Sequence, residues 1–431
     1  MQINKPSIVI VGGGAGGLEL ATKLGHKLGK TNKANIVLID KSRTHIWKPL
    51  LHEVATGSLD TSIDGVVYSA HAAKHGFNFQ LGEFCSLDKD NKQLTIRLND
   101  ETTSNLNDCV VKYDHLVIAI GSISNDFNTP GVKEHCYFLD SHKQAERFQS
   151  ALLNHFTQLH QNTDLDELKI AIVGAGATGV ELSAELYHVA QLLKSYGLNN
   201  MTAKKLKIYL VEAGPSILPA LSNRIAHSAK RELIKLGVSV LENTRVGSAN
   251  EQGLLTSEGV LIEADIQLWA AGVKVAEFIK DLNIFELNKV NQILVNNTLQ
   301  STVDDAIFVL GDACAFKQSD GSFVPPRAQA AHQMASCIAK NIINEVNHQP
   351  LENFVYKDHG SLVNLSRFST VGSLMGNLTN NSMFIEGKIA RFMYMSLYRM
   401  HQRAIHGSLK TFALWLIEKL MKVVRPRMKL H

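Results

Sequence analysis

The stretch Ser7-Ile-Val-Ile-Val-Gly-Gly-Gly-Ala-Gly-Gly-Leu18 decides the fold. A short β-branched run enters a glycine turn and then a helical pattern, with Gly12, Gly14 and Gly17 at the G-x-G-x-x-G positions. Glycines at this spacing permit a tight turn and close backbone approach, and the following helix N-terminus attracts a pyrophosphate. The next strand, Asn35-Ile-Val-Leu-Ile-Asp40, ends on an acid able to hold a ribose hydroxyl. Asp40 comes later than usual because Gly29 to Asn35 lengthens the connection from helix to strand.

One such fingerprint also fits an ordinary turn, but the chain repeats it. Lys169-Ile-Ala-Ile-Val-Gly-Ala-Gly-Ala-Thr-Gly-Val-Glu-Leu182 carries Gly174, Gly176 and Gly179, and Lys207-Ile-Tyr-Leu-Val-Glu212 supplies a second strand and acid. Two sets of strand, turn, helix and acidic strand end predict an α/β protein with two Rossmann-like dinucleotide-binding domains. Glu212 can accept from a ribose 2′-hydroxyl and would repel a 2′-phosphate, and Ala213-Gly214 brings no adjacent arginine. The second fold is therefore expected to take NADH rather than NADPH.

Motif order assigns the first fold. After Tyr113-Asp-His-Leu-Val-Ile-Ala-Ile-Gly121-Ser122 the chain passes through the second fingerprint and returns at Asp304-Asp-Ala-Ile-Phe-Val-Leu-Gly311-Asp312. This order resembles the flavoproteins with two dinucleotide-binding domains, in which the returning Gly-Asp contacts FAD. Taken alone, Gly311-Asp312 would also serve to end a strand. The resemblance implies one non-covalent FAD held by Gly12, Gly14, Gly17, Asp40, Lys41, Pro49, Leu50, Gly121, Gly311, Asp312 and Ala328, with NADH on Gly174, Gly176, Gly179 and Glu212. The expected boundaries are 1–120 and 290–345 for the FAD domain, 121–289 for the NADH domain, and 346–431 for a C-terminal domain.

Composition supports large cores: 431 residues, 45% hydrophobic and 19% charged. The net charge of +4 hides an asymmetry, because residues 388–431 hold ten Lys/Arg against Glu418 alone, a net of +9 that leaves −5 for the rest. Such a split asks for a negatively charged partner. Five cysteines without a CxxC pair suggest neither a disulfide framework nor a zinc site, and no metal is expected. No cleaved signal is predicted, and no stretch is apolar and long enough for a spanning helix, so membrane contact is expected to be peripheral.

Disulfide reductases of this fold need a close redox cysteine pair, which is missing. Sulfide:quinone reductases use distant cysteines, which keeps Cys136 and Cys337 in view, but that reaction has no use for a complete NADH fold. The stretch His45-Ile-Trp-Lys-Pro-Leu-Leu-His-Glu-Val-Ala-Thr-Gly57 and Ala328-Gln-Ala-Ala-His-Gln333, with Tyr356-Lys-Asp-His-Gly-Ser-Leu362 and the closing Arg425 to His431, resemble type II NADH dehydrogenases, single-subunit NADH:quinone oxidoreductases, closest to proteobacterial members. The resemblance runs over essentially the whole chain. It implies hydride transfer from NADH to FAD, then two-electron reduction of a membrane quinone, ubiquinone or menaquinone; with no spanning helix expected, proton pumping is not expected either.

Pro325-Pro326 should block a helix that Ala328 then starts, and Gln329 and Gln333, four residues apart, share a face from which their amides can reach a quinone carbonyl. Both also suit an ordinary solvated helix. His332 is a candidate proton relay on another face. Glu181 is expected to position NADH, or only to complement its helix dipole, and Glu185 to be structural. In the tail, Leu409, Phe412, Ala413, Leu416, Ile417, Leu420 and Met421 follow helical spacing with Lys410, Lys419 and Lys422 toward the polar side, and Ile389, Met393, Leu397 and Met400 alternate with bases upstream. These are amphipathic helices expected to anchor residues 388–431 to an anionic membrane, placing the enzyme peripherally on the cytoplasmic face of a bacterial inner membrane. Packing on the protein's own core or on a homodimer partner has the same periodicity, and nucleic acid is not expected. The alternatives are an NADH-dependent reductase of a soluble electron carrier and an apoptosis-inducing-factor-like, NADH-responsive flavoprotein.

Overall fold

The first fingerprint strand, Ser7–Val11, lies in the middle of a five-stranded parallel sheet. It is flanked by Asn35–Asp40 and His115–Ile118, with Asn78–Leu81 and Ile307–Val309 at the edges. Ile8, Val9 and Ile10 are fully buried, as a strand covered on both faces requires. The computed structural model describes residues 5–61, 65–98, 107–162, 167–198, 200–365, 369–375, 382–386 and 388–424. The closing motif from Arg425 lies outside these residues, as do the side chains of Ile389, Met393, Leu397, Met421 and Lys422.

The chain forms two compact units. The first comprises Met1–Trp47, Gly65–Ile123 and Val273–Asp358, and the second Lys48–Asp64, Ser124–Gly272 and His359–His431. In the first unit, helix Ala15–Leu24 follows the glycine turn and packs against helix Ala328–Val346, and an antiparallel sheet of Glu83–Asp88, Gln93–Leu98 and Asn107–Lys112 is inserted before His115.

The second unit repeats the plan. Its parallel sheet runs Ser239–Leu241, Leu206–Val211, Leu168–Val173, Ile266–Trp269, and helix Ala177–Leu192 follows the second glycine turn. Helix His142–Gln161 begins at Ser141, whose side chain accepts from Gln144 N–H while the Gln144 side chain reaches back, a capping box that satisfies two otherwise orphan donors.

The contact grouping differs from the expected boundaries, and residues 121–123 fall with the first unit. The segment 48–64 groups with the second unit and 273–289 with the first. The tail does not stand as a separate domain from 346: residues 346–358 belong to the first unit, and from His359 the chain joins the second, where strand Gly360–Leu365 packs on helix Ala177–Leu192. That strand pairs antiparallel with Ser369–Met375, which pairs with Ser382–Glu386, and helices Lys388–His406 and Ser408–Val424 follow. Among the described residues no helix is long and apolar enough to cross a membrane.

Candidate dinucleotide sites and the helix that bears the glutamines

Gly12 adopts φ +103°, and a Cβ there would lie 2.3 Å from the Ala119 carbonyl oxygen. A Cβ on Gly17 would come within 1.9 Å of the Gly12 oxygen, so helix and strand meet only because both residues lack side chains. Asp40 closes the turn: Gly13 N–H donates to its Oδ2 at 2.6 Å and Ser42 N–H to its Oδ1 at 2.7 Å. Burial raises the Asp40 pKa against the pull of those two donors. The Gly13 carbonyl accepts from the Tyr68 hydroxyl at 2.6 Å and from His45 Nδ1 at 2.9 Å, which places the His45 proton on Nδ1. Tyr68 is held well above the ordinary phenol pKa by burial and by the nearby Asp40 charge.

Gly12, Asp40, Lys41 and Gly121 line one cleft of the first unit together with Phe84, Ser122 and Phe278. Ser122 Oγ donates to Asp312 Oδ2 at 2.7 Å, and Gln292 Nε2 donates to the Asp312 carbonyl at 2.8 Å. The Gly311 N–H faces Met334 Sδ at 3.3 Å, on helix Ala328–Val346. A side-chain-free turn, a helix N-terminus and a carboxylate with about four acceptor positions, two already used, fit an adenine dinucleotide such as FAD. Pro49 and Leu50 sit apart from these residues in the chain's grouping, on the turn Lys48–Leu50 of the second unit.

The second turn is built alike. Gly174 has φ +99°, with a Cβ position 2.6 Å from Ala271 Cα, and a Cβ on Gly179 would meet the Gly174 oxygen at 2.1 Å. Glu212 Oε2 accepts from Ala175 N–H at 2.9 Å and Oε1 from Gly214 N–H at 2.8 Å. The Ala175 carbonyl accepts the Leu218 N–H at 2.7 Å. Leu218 holds φ +51°, and its neighbour Ile217 N–H donates to Glu242, itself paired with Lys230.

Glu181 lies one turn into helix Ala177–Leu192 and is buried in a polar cluster. Its Oε1 accepts from Asn364 N–H at 2.9 Å, and His52 Nδ1 stands 3.7 Å from its Oε2. Burial, with the Glu53 and Glu185 charges, pushes the Glu181 pKa up to about 8 against the Asn364 bond. Burial also lowers the His52 pKa, so desolvation disfavours the charged form of both groups. Glu185 accepts from the Ser58 hydroxyl.

In the first unit, Gln329 Nε2 donates to Asp358 Oδ1 at 3.0 Å. Gln333 uses both ends of its amide on the Lys357 main chain, at 2.8 and 2.9 Å. His332 Nδ1 meets Glu19 Oε2 at 2.7 Å, on the opposite neighbour. The helix begins at Ala328, as expected, with Arg327 in extended conformation at its N-cap.

All five cysteines are free thiols, and burial pushes Cys136 up to about 12 and Cys337 up to about 11, so neither is a thiolate near neutral pH. Among the described residues no group of three His, Cys, Asp or Glu could hold a metal. Sequence reasoning missed Tyr68 and Leu218 altogether, and met Ser122 only as the residue that ends a strand stretch. His45 and Asp358 stand inside motifs quoted for resemblance, but nothing in their spacing announces their bonds.

Two braced glycine turns and a returning Gly-Asp define the class. Residues 6–335 match the pyridine nucleotide-disulphide oxidoreductase family. The chain is 46% identical to the type II NADH:quinone oxidoreductase of Haemophilus influenzae over 99% of its own length and all of that protein, and 31% identical to that of Staphylococcus aureus over 91% and 94%. The structure of NDH2 from Plasmodium falciparum in complex with NADH shares the fold, with a TM-score of 0.81 at 18% identity over 99% of this chain and all of that one. The chain belongs to the type II NADH:quinone oxidoreductases, within that wider family.

Proposed function

We infer that the protein oxidises NADH and reduces a quinone at the surface of a membrane, with the two dinucleotides divided between its two glycine turns. The observation that carries this division is the repeat itself: each turn hands one N–H to the acid that ends the following strand. Gly174, Gly176, Gly179 and Glu212 hold NADH, and the Glu212 charge turns away a 2′-phosphate. Gly12, Gly14, Gly17, Asp40, Lys41, Gly121, Gly311 and Asp312 hold FAD, with Pro49, Leu50 and Ala328 as further contacts. When bound, FAD supplies the two-electron centre that accepts hydride from NADH and passes the electrons to the quinone.

The chain's own contribution is orientation and proton placement. Glu181, whose carboxyl burial pushes toward its neutral form, positions NADH. Gln329 meets the quinone head group. Protons come from water or from His332, whose ring is fixed by Glu19. Helix Ser408–Val424 exposes Leu409, Phe412, Leu416, Ile417 and Leu420, and Lys419 Nζ sits 4.4 Å from the Trp415 ring centroid. An apolar face beside a basic tail suits an anionic bilayer, each basic residue adding roughly 1 kcal/mol before screening. NADH is a cytoplasmic metabolite, so the reading places the enzyme peripherally on the cytoplasmic face of a bacterial inner membrane.

Steady-state NADH oxidation with a short-chain ubiquinone or menaquinone, set against ferredoxin as acceptor, tests the reaction. Quinone-dependent turnover is expected, and turnover with ferredoxin alone would replace it with the soluble-carrier reading. Phe412→Glu with Leu416→Glu should release the protein from anionic liposomes at unchanged dimer content. Loss of a dimer instead would assign that face to a second copy of the chain.

A further inference from the structure

The segment Lys357-Asp358 is tied to the start of helix Ala328–Val346 by four bonds inside the first unit. Arg327 Nη1 meets Asp358 Oδ2 at 3.2 Å and Gln329 Nε2 donates to Asp358 Oδ1 at 3.0 Å. Gln333 Nε2 donates to the Lys357 carbonyl at 2.8 Å, and Lys357 N–H returns a bond to Gln333 Oε1 at 2.9 Å. The two glutamines, alike in sequence, therefore do different things. Gln333 spends its oxygen and one N–H on the main chain and anchors the segment. Gln329 meets a carboxylate, and a carboxylate admits only the NH2 end of an amide, since an amide oxygen there would be repelled.

We propose that Asp358 is a positioning residue for quinone reduction: its carboxylate fixes the orientation of the Gln329 amide, and Gln333 fixes the segment that carries Asp358. The proposal rests on the reading that quinone docks at Gln329. A glutamine side chain has several rotamers to lose on binding, so an amide already oriented in the resting protein binds its ligand at less entropic cost. Arg327 supports the arrangement by holding the other carboxylate oxygen, which prevents Asp358 from turning away. The Tyr356-Lys-Asp motif thus acquires a role that spacing alone does not reveal.

Asp358→Ala should raise the KM for a water-soluble quinone about tenfold, with flavin content, kcat and the rate of flavin reduction by NADH held within about twofold. Asp358→Asn retains an acceptor for the Gln329 NH2 and should recover most of that loss. Gln333→Leu, by freeing the segment, should resemble Asp358→Ala. Adding Asp358→Ala to Gln329→Leu should cause no further rise, because both act through one amide. If Gln329→Leu impairs flavin reoxidation by quinone but Asp358→Ala leaves the quinone KM unchanged, the positioning role is wrong and the docking reading stands. If Gln329→Leu itself leaves reoxidation unchanged, the docking reading falls and takes the proposal with it. Equal loss of both half-reactions in Asp358→Ala, or an Asp358→Asn variant no better than Asp358→Ala, overturns the proposal in favour of a general structural role.

Discussion

In the first unit the Gly13 carbonyl is held by two side chains, the Tyr68 hydroxyl and the His45 ring, both buried. In the second the corresponding carbonyl, that of Ala175, accepts a main-chain N–H, from Leu218 in a left-handed conformation. The acids behind the turns are matched, Asp40 and Glu212 each taking two N–H donors. The braces are not. A side-chain brace is set by residues packed into the core, whereas a main-chain brace depends on a loop keeping a conformation that is unfavourable for leucine. The first arrangement suits a cofactor that stays through turnover, and the second a substrate that enters and leaves.

The helices that follow the turns show a second contrast. Glu19 and Glu181 occupy equivalent positions, two residues past Gly17 and Gly179. Both are buried, but Glu19 has Lys23 Nζ at 2.5 Å and His332 Nδ1 at 2.7 Å, while Glu181 faces a main-chain N–H and a histidine whose pKa burial lowers. One buried carboxylate is paired with charge and the other is pushed toward its neutral form.

Gly17→Val against Gly179→Val should break the symmetry most. Each side chain would strike a backbone oxygen, so the first should yield folded protein without flavin, and the second should keep the flavin spectrum but lose at least about 100-fold in its reduction by NADH. Absorbance spectra and rapid mixing distinguish these outcomes, and flavin loss from both would sink the assignment of separate sites.

Glu212→Gln should narrow the preference for NADH over NADPH by about tenfold in kcat/KM, while flavin content stays constant. Gly13→Ala, whose Cβ would lie 2.4 Å from the Tyr68 oxygen, should weaken FAD binding strongly, whereas the reverse change Ala175→Gly should move the NADH KM by only about threefold. Tyr68→Phe leaves His45 on the Gly13 carbonyl and should weaken FAD by about fivefold without affecting NADH. An equal effect on both dinucleotides would mean that the brace is not local to the first turn.

The smallest effect concerns the glutamates. A carboxyl whose pKa is raised in the fold loses stability as pH climbs from its unfolded value near about 4.3 to its folded value of about 8. Glu181→Gln lacks that loss, so its Tm should rise relative to the wild type by about 2–4 °C between pH 5 and pH 8. Glu19→Gln strips a partner from Lys23 and His332 and should lower Tm instead. Matching pH profiles for the two variants would show that the pairing difference has no thermodynamic weight.

The strands, both turns and both acids were legible in the sequence because their signals are local: a β-branched run, glycines within six residues, an acid at the next strand end. The start of the glutamine helix at Ala328 was legible for the same reason. The braces were not, because Gly13 is separated from His45 by 32 residues and from Tyr68 by 55, and only packing brings them together. Gln329 and Gln333 read alike from helical spacing, and their different partners, Asp358 and Lys357, lie 29 and 24 residues away. The grouping of the tail with the second unit escaped too, since no change in composition marks His359.

The most direct test follows flavin absorbance in the wild-type holoenzyme mixed without oxygen, first with a nicotinamide cofactor and then with a quinone. NADH should bleach the flavin far faster than NADPH does, and quinone should restore the oxidised spectrum. Equal bleaching by NADPH, or a reduced flavin that quinone leaves unchanged, would contradict this reading.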